Sequence, residues 1–399
     1  MILRAKNKAE LDKHIDAAYG PQTSIVLRYR NVFRFHGSPR KDAGYKKWLQ
    51  KTSIREGARI FPLLNYRGVE IYILDTTSLM HTKTLKALDG CITTAHCKER
   101  GYKTVVFESG GNTGAALTGY GLRAGLETFL FLPEENLPLL NSRIFESRKA
   151  HLITVKDPKL TKKAAHLFAK DNNLKHIPEL SWRYESSMFR GLFILEYMLK
   201  NLKFDWLTQT VSAAFGPIGI YGILKNFKKE LKTLPRFLGV QQQANCPMVK
   251  FWRSKGKTIG KTGLDSTGEL LTKVMYDIKP QTYGTYKDLV SVLVSSHGDM
   301  TTINHAEFSD FLRYNFGARD ILDLFKAHGI VLTANKGDIV EKTGLMALAG
   351  TFKEINSGKI ARGSRVLCCL TSGVSEADGK AKPEYRISDL KDIKRLCRR

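Results

Sequence analysis

Short apolar runs alternating with helix-length segments constrain this chain more than any other feature. VEIYIL (69–74) leads towards a helix over residues 84–100, TVVF (104–107) leads through a glycine-rich turn to a helix over 113–124, and TFLFL (128–132) ends at Pro133. The run 151–155 then precedes a helix over 159–171. Strands this short and this continuously apolar are buried on both faces, and parallel strands need crossovers of helix length. The βαβαβα order therefore predicts a parallel sheet with helices on both sides.

A second series follows Arg190: a helix over 191–203, a strand over 210–214, a glycine turn, a helix over 221–232 and a strand over 236–240. The segment 254–287, rich in Gly, Lys and Thr, gives no periodicity. Beyond it come the apolar run 289–294, helices over 304–314, 320–328 and 341–355, and the apolar strand 365–370. No internal repeat and no low-complexity linker interrupts the pattern. With 399 residues, 42% of them apolar, the chain has enough material for two α/β units, and its N-terminal part is expected to join the second.

Several function classes are excluded early. No apolar run approaches the roughly 20 residues needed to cross a bilayer, and the first 20 residues hold no continuous apolar segment of signal-peptide length. A cytoplasmic location is expected. The six cysteines (Cys91, Cys97, Cys246, Cys368, Cys369, Cys397) form no CxxC pair and no zinc spacing, and are too sparse for a disulfide scaffold. GxSxG, HExxH and GxxxxGK[ST] are absent, which removes support for the hydrolase elbow, the zincin and the P-loop. Lys+Arg 64 against Asp+Glu 38 gives a formal charge of +26, which favours an anionic partner. The basic residues are spread along the chain, and no basic helix or aromatic-basic repeat marks a nucleic-acid groove. No nucleic-acid partner is expected.

In open parallel sheets, ligands gather at the carboxyl ends of the strands. Three unusual turns stand there. Ser109-Gly110-Gly111-Asn112-Thr113-Gly114 combines glycines that permit close backbone approach with amides, hydroxyls and an amide side chain aimed at an anion. The stretch 213–222 (AAFGPIGIYG) clears side chains from a helix start at Gly216 and Gly219, as a phosphate would require. LTSG (370–373) brings a hydroxyl out of a buried strand. Upstream, His81-Thr82-Lys83-Thr84-Leu85-Lys86 places lysines at a helix N-terminus, where a depressed pKa suits covalent catalysis; two solvated lysines are the plain alternative.

These residues, in this order and together with LRYRNVF, RAGLETFLFLPE, RGLFILEYML, PRFLGVQ, GLMALAG and RVLCCLTSG, resemble the pyridoxal-phosphate enzymes of fold type II. Threonine synthase is the nearest likeness, with cysteine synthase and the serine/threonine dehydratases as relatives. The likeness runs from about Arg28 to Gly373, and Gly111-Asn112-Thr113-Gly114 is its sharpest motif. It implies two parallel-sheet α/β domains with the cofactor cleft between them: residues 1–85 and 190–399 in a larger cofactor-binding domain, 86–189 in a smaller one.

The resemblance also implies roles. Ser109, Gly110, Gly111 and Thr113 would hold the substrate carboxylate, and Asn112 would hydrogen-bond the cofactor's ring oxygen. The amides of Gly216, Pro217, Ile218, Gly219 and Ile220 would stand where the family has a G-N-x-G-N phosphate cradle. Thr371 would face the pyridine nitrogen as a neutral partner, which suits elimination and replacement. Lys86 matches the Schiff-base lysine of the family's PTGSFKDR, with Lys83 as the alternative. The Pro, Asp and Arg of that motif are replaced here, and Ile220 replaces the second Asn of the cradle. These departures point to a relative with another substrate. The implied activity is β- or γ-elimination or replacement on an amino acid, with an anionic, phosphorylated substrate suited to the basic surface. Cysteine- or cysteate-synthase-like β-replacement, or a deaminating lyase or dehydratase, is the alternative within this chemistry. A catalytically silent basic binding protein on the same fold is the alternative outside it. The implied cofactor is pyridoxal 5'-phosphate, the partner a small amino-acid substrate, and the assembly a homodimer, with no metal.

Overall fold

Two largely parallel sheets organise the computed structural model of the chain, which describes residues 1–35, 37–178, 182–255, 270–275, 285–333, 339, 341–372 and 377–396. Its strands are β1 (Ile2–Leu3), β2 (Phe33–Arg34), β3 (Arg59–Tyr66), β4 (Val69–Asp75), β5 (Thr104–Glu108), β6 (Glu127–Pro133), β7 (Ala150–Val155), β8 (Lys175–Ile177), β9 (Trp206–Thr210), β10 (Arg236–Gln242), β11 (Asp299–Ile303), β12 (Arg365–Leu370) and β13 (Tyr385–Ile387). The larger sheet has the order β11-β10-β9-β12-β4-β3, the smaller one β13-β7-β6-β5-β8, and β1 pairs with β2 alone.

β12 shows why the larger sheet is two-sided. Leu367 and Cys369 enter one hydrophobic core, Val366, Cys368 and Leu370 the other, in the strict alternation a pleated strand imposes. The first core is filled by the helices Lys86–Glu99, Arg183–Lys200 and Phe215–Leu224. The second is filled by the helix Lys342–Asn356. β3 runs antiparallel to β4 at the sheet edge, with a register shift between Pro62 and Leu64. An edge is where a strand proline is tolerated, since its missing N–H costs no ladder bond.

Several elements differ from the sequence reading. The strand expected over 210–214 is β9 at Trp206–Thr210, and the helix expected over 221–232 begins already at Phe215. Ala214, in the left-handed region at φ 61°, turns the chain, so FGPIG becomes the first helical turn instead of a loop. Pro217 is tolerated there because the first-turn amides have no helical acceptor anyway. The run 289–294 lies in the helix Tyr286–Ser295, and β11 (DMTTI) follows it, too polar to announce itself. The C-terminal segment does not stay with the larger sheet: β13 pairs in parallel with β7 of the smaller one. Among the described residues, Cys91, Cys97, Cys246, Cys368 and Cys369 are buried free thiols. Gly373, Cys397 and most of 254–287 lie outside the described residues. Among those described, no helix is long and apolar enough to cross a membrane.

Candidate functional site

The carboxyl ends of the neighbouring strands β4 and β12 bring two of the sequence's singled-out stretches together. The Leu85 amide donates to the Thr371 carbonyl across 3.2 Å, and Thr84 bridges to Ser372, so the lysine stretch lies against the LTSG turn. Thr76, just past β4, fixes the same turn by donating its hydroxyl to the Leu370 carbonyl at 2.7 Å.

Lys86 is the first residue of the helix Lys86–Glu99, and its amide donates to Thr84 Oγ1 at 3.1 Å. Its Nζ stands 3.2 Å from Asp89 Oδ2, one helical turn on. Asp89 is buried, accepts the Ser186 hydroxyl, and lies 3.6 Å from Arg183 Nε. Burial pushes the Asp89 carboxyl up, but Lys86, Arg183 and the Ser186 hydroxyl outweigh it and hold the group below the ordinary carboxylate value. Lys83 is placed differently. It sits at φ 55°, and its Nζ donates to the Ser78 carbonyl at 3.3 Å.

At the end of β5, the Ser109 hydroxyl accepts from the amides of Gly111 (3.1 Å) and Gly114 (2.8 Å), so it caps the helix Asn112–Arg123. Gly111 has φ 149°, a backbone state side chains rarely adopt. A Cβ on Gly114 would come within 2.8 Å of Ser109 Cβ, so this glycine keeps the capping hydroxyl in place. Gly110 is exposed and Asn112 half-buried at the helix start, while Thr113 is buried.

The second glycine stretch offers a shorter cradle than its sequence suggests. Pro217 has no N–H, and the Ile218 amide is taken by the Ala214 carbonyl at 3.2 Å. Gly219 and Ile220 lie deeper in the helix, and the Ile220 side chain is fully buried in the core beside the Arg183–Lys200 helix. The Gly216 amide, in the first helical turn, has no intrahelical acceptor. Gly216 must be glycine because a Cβ there would lie 2.3 Å from Gln209 Nε2, and Gly219 because one would lie 2.4 Å from Ser187 Cβ. Gln209 Oε1 in turn accepts from Arg190 Nη2 at 2.9 Å. Arg190 is fully buried, and its Nε and Nη1 have no hydrogen-bond partner.

Sequence reasoning placed Thr371 but missed what surrounds it. Thr371 Oγ1 and Thr343 Oγ1 are 3.0 Å apart, and Thr343 donates to Glu341 Oε1 at 3.0 Å. Glu341 caps the helix Lys342–Asn356 by accepting from the Gly344 amide, and also accepts from the Thr371 amide at 3.5 Å. Its other oxygen, Oε2, is buried without a partner. Burial pushes its carboxyl up to about 7, against the pull of the Gly344, Thr371 and Ser372 amides and the Thr343 hydroxyl. The available signal was the cap itself: glutamate is not among the residues usually preferred at a helix N-cap. Among the described residues, no His/Cys/Asp/Glu cluster is placed to hold a metal.

A lysine amine beside a hydroxyl turn at the strand ends can take up a carbonyl group and move a proton next to it. The comparisons agree with that chemistry. Residues 57–300 match the family described as pyridoxal-phosphate dependent enzyme. The chain is 23% identical over 284 residues to threonine synthase of Halalkalibacterium halodurans, covering 69% of this chain and 70% of that protein. It is 20% identical over 187 residues to cysteate synthase of Methanospirillum hungatei, covering 45% of this chain and only 40% of that protein. The fold is shared with a pyridoxal 5'-phosphate-dependent aspartate racemase (TM-score 0.59, 17% identity, 84% of this chain and 95% of that one). It is shared also with threonine deaminase isoform 2 of Solanum lycopersicum (TM-score 0.56, 14% identity, 90% and 89%).

Proposed function

The chain belongs to the pyridoxal-phosphate dependent enzyme family and has the type II fold, and from that premise we propose that it catalyses elimination or replacement at the β- or γ-carbon of an amino acid. In this reading it is threonine-synthase-like, and its substrate carries a phosphate or another anion. The observation that carries the reading is the Leu85–Thr371 hydrogen bond, which holds the lysine stretch against the hydroxyl turn.

The residues present fit the cofactor. Gly216 keeps the helix start clear of a Cβ, and its own amide lacks an intrahelical acceptor, as a phosphate needs. When bound, the cofactor supplies an electron sink for bonds breaking at the substrate's α-carbon.

The chain's own groups divide the remaining work. Lys86 is the amine that holds the cofactor, and its Nζ removes and returns the proton at the α-carbon. Asp89, 3.2 Å from that Nζ, holds the amine in place. The loop Ser109, Gly110, Gly111 and Thr113 holds the substrate carboxylate, and Asn112 the cofactor's ring oxygen. The Thr371 hydroxyl faces the ring nitrogen. The formal charge of +26 supports an anionic substrate by raising its local concentration. A homodimer in the cytoplasm is part of the same proposal, resting on the family likeness alone.

The match to a cysteate synthase favours β-replacement as the second reading. Incubating the purified, cofactor-loaded protein separately with O-phosphohomoserine, O-phosphoserine, serine and threonine distinguishes the two. Phosphate release from O-phosphohomoserine with threonine formed supports the first reading. Phosphate release from O-phosphoserine, with an added nucleophile incorporated, supports the second. Ammonia with a 2-oxo acid marks a deaminating lyase. No product from any of the four, with salt-dependent nucleic-acid binding instead, overturns the enzymatic reading in favour of a silent basic binding protein.

A further inference from the structure

Glu341, Thr343 and Thr371 form a chain of hydrogen bonds with fewer protons than acceptors. Thr343 Oγ1 lies 3.0 Å from Glu341 Oε1 and 3.0 Å from Thr371 Oγ1. Each hydroxyl has one proton to give. If Thr343 donates to Glu341, its oxygen is left to accept from Thr371, and Thr371 then offers only a lone pair onward. If Thr343 donates to Thr371 instead, Thr371 can pass its own proton onward. The pair has two directions, and the carboxyl at its end decides between them.

We propose that Glu341 is a positioning residue that sets the direction of the Thr343–Thr371 hydroxyl pair, and so decides whether Thr371 offers the cofactor's ring nitrogen a lone pair or a proton. The inference rests on the reading above that Thr371 faces that nitrogen. An ionised Glu341 is the stronger acceptor and draws the Thr343 proton, so Thr371 presents a lone pair that suits a protonated ring nitrogen. A neutral Glu341 carries its proton on the unpartnered Oε2, because Oε1 already accepts the Gly344 amide. Its weaker pull lets Thr343 turn to Thr371, and Thr371 then donates to an unprotonated nitrogen. The covalent change at the relay's end is one O–H bond at Glu341, whose proton is exchanged with solvent; the two hydroxyls change only their order of donation.

Both forms are within reach near neutral pH. An ionised carboxylate with one oxygen buried and unpartnered is costly, and burial raises the group to about 7. The groups acting on it are neutral: the Gly344, Thr371 and Ser372 amides and the Thr343 hydroxyl. Ionisable groups on the neighbouring elements are already committed. Lys86, beyond the Thr371 turn, pairs with Asp89; Asp75, at the end of β4, pairs with Arg59 at 3.0 Å; and the Cys368 and Cys369 thiols of β12 are pushed up by burial.

The test uses the holoenzyme loaded with cofactor labelled with nitrogen-15 in the ring, and follows the ring-nitrogen NMR shift from about pH 6 to about pH 9. In the wild type, the shift is expected to titrate with a midpoint near 7. Glu341→Gln, which cannot ionise, should lose that titration, and Thr343→Val, which breaks the relay but leaves the carboxyl, should lose it too. A flat wild-type shift, or either variant titrating as the wild type does, overturns the inference. Thr343→Val keeps the test decisive if Glu341→Gln does not fold. Thr371→Val separates the two failures. If it leaves the ring-nitrogen shift unchanged, Thr371 does not face the nitrogen and the underlying reading falls; if it moves the shift while Glu341→Gln does not, only the role of Glu341 falls.

Discussion

Lys86 Nζ lies 3.2 Å from Asp89 Oδ2, a carboxylate that is itself buried and shared with Arg183 and Ser186. The family's acidic residue directly after the lysine is absent from the sequence, and Asp89, three residues on, stands one helical turn away on the same face. Sequence spacing alone left the choice between Lys86 and Lys83 open.

The choice has a direct spectroscopic consequence. Lys86→Ala is expected to give folded protein that acquires no visible absorption band from added cofactor and is not labelled by borohydride. Lys83→Ala should keep both. The fold should survive in the first variant because Arg183 and the Ser186 hydroxyl still face Asp89. The opposite pattern would transfer the role to Lys83. Lys83→Gly should moreover stabilise the protein slightly, by about 1 kcal/mol, since glycine relieves the left-handed φ of 55°.

Gly216→Ala tests the helix start. The added Cβ would meet Gln209 Nε2 at 2.3 Å, and Gln209 cannot withdraw without giving up Arg190. Overpacking of this kind costs about 1 to 3 kcal/mol, readable as a lower urea midpoint at unchanged slope. Cofactor affinity should fall as well. A variant as stable as the wild type and binding cofactor equally well would remove the cradle from this helix.

Much of this arrangement was legible in the sequence. The apolar run RVLCCL read as a buried strand and SGGNTG as a strand-to-helix turn, and both are found so, in β12 and between β5 and the helix Asn112–Arg123. The rest depends on partners far apart in the chain. Glu341 acquires its role from Thr371, thirty positions on in the sequence, and no local pattern encodes that. FGPIGI carries loop-forming residues, yet two of its glycines serve close packing against Gln209 and Ser187 within a helix. β13, three residues long, has no periodicity to read.

The raised Glu341 carboxyl also fixes a pH dependence of stability. Its folded value of about 7 lies above the ordinary 4.5, so the native state holds a proton that the unfolded chain has already lost between those values. The stabilisation is complete below about pH 4.5, is lost progressively as the pH rises towards 7, and changes no further above that. The span corresponds to on the order of 3 kcal/mol. Glu341→Gln lacks this loss, so its stability relative to wild type should rise between about pH 5 and about pH 7 and then level off, in denaturant melts taken at each pH. A difference independent of pH would show that Glu341 is ordinary in its titration.

Ile220→Asn restores the residue the family has in the phosphate cradle, and should fail to restore anything. The Ile220 side chain is fully buried in the core, where the Arg183–Lys200 helix packs so tightly that a Cβ on Gly191 would touch the Ile220 backbone at 2.9 Å. An asparagine there would bury an amide among apolar neighbours, at a cost of about 2 to 4 kcal/mol. Thermal melts should show that loss, and cofactor affinity measured below the melt should not improve. A gain in affinity would instead mean that the helix start can rotate to bring position 220 to the phosphate, and that the Gly216 amide is not the principal donor.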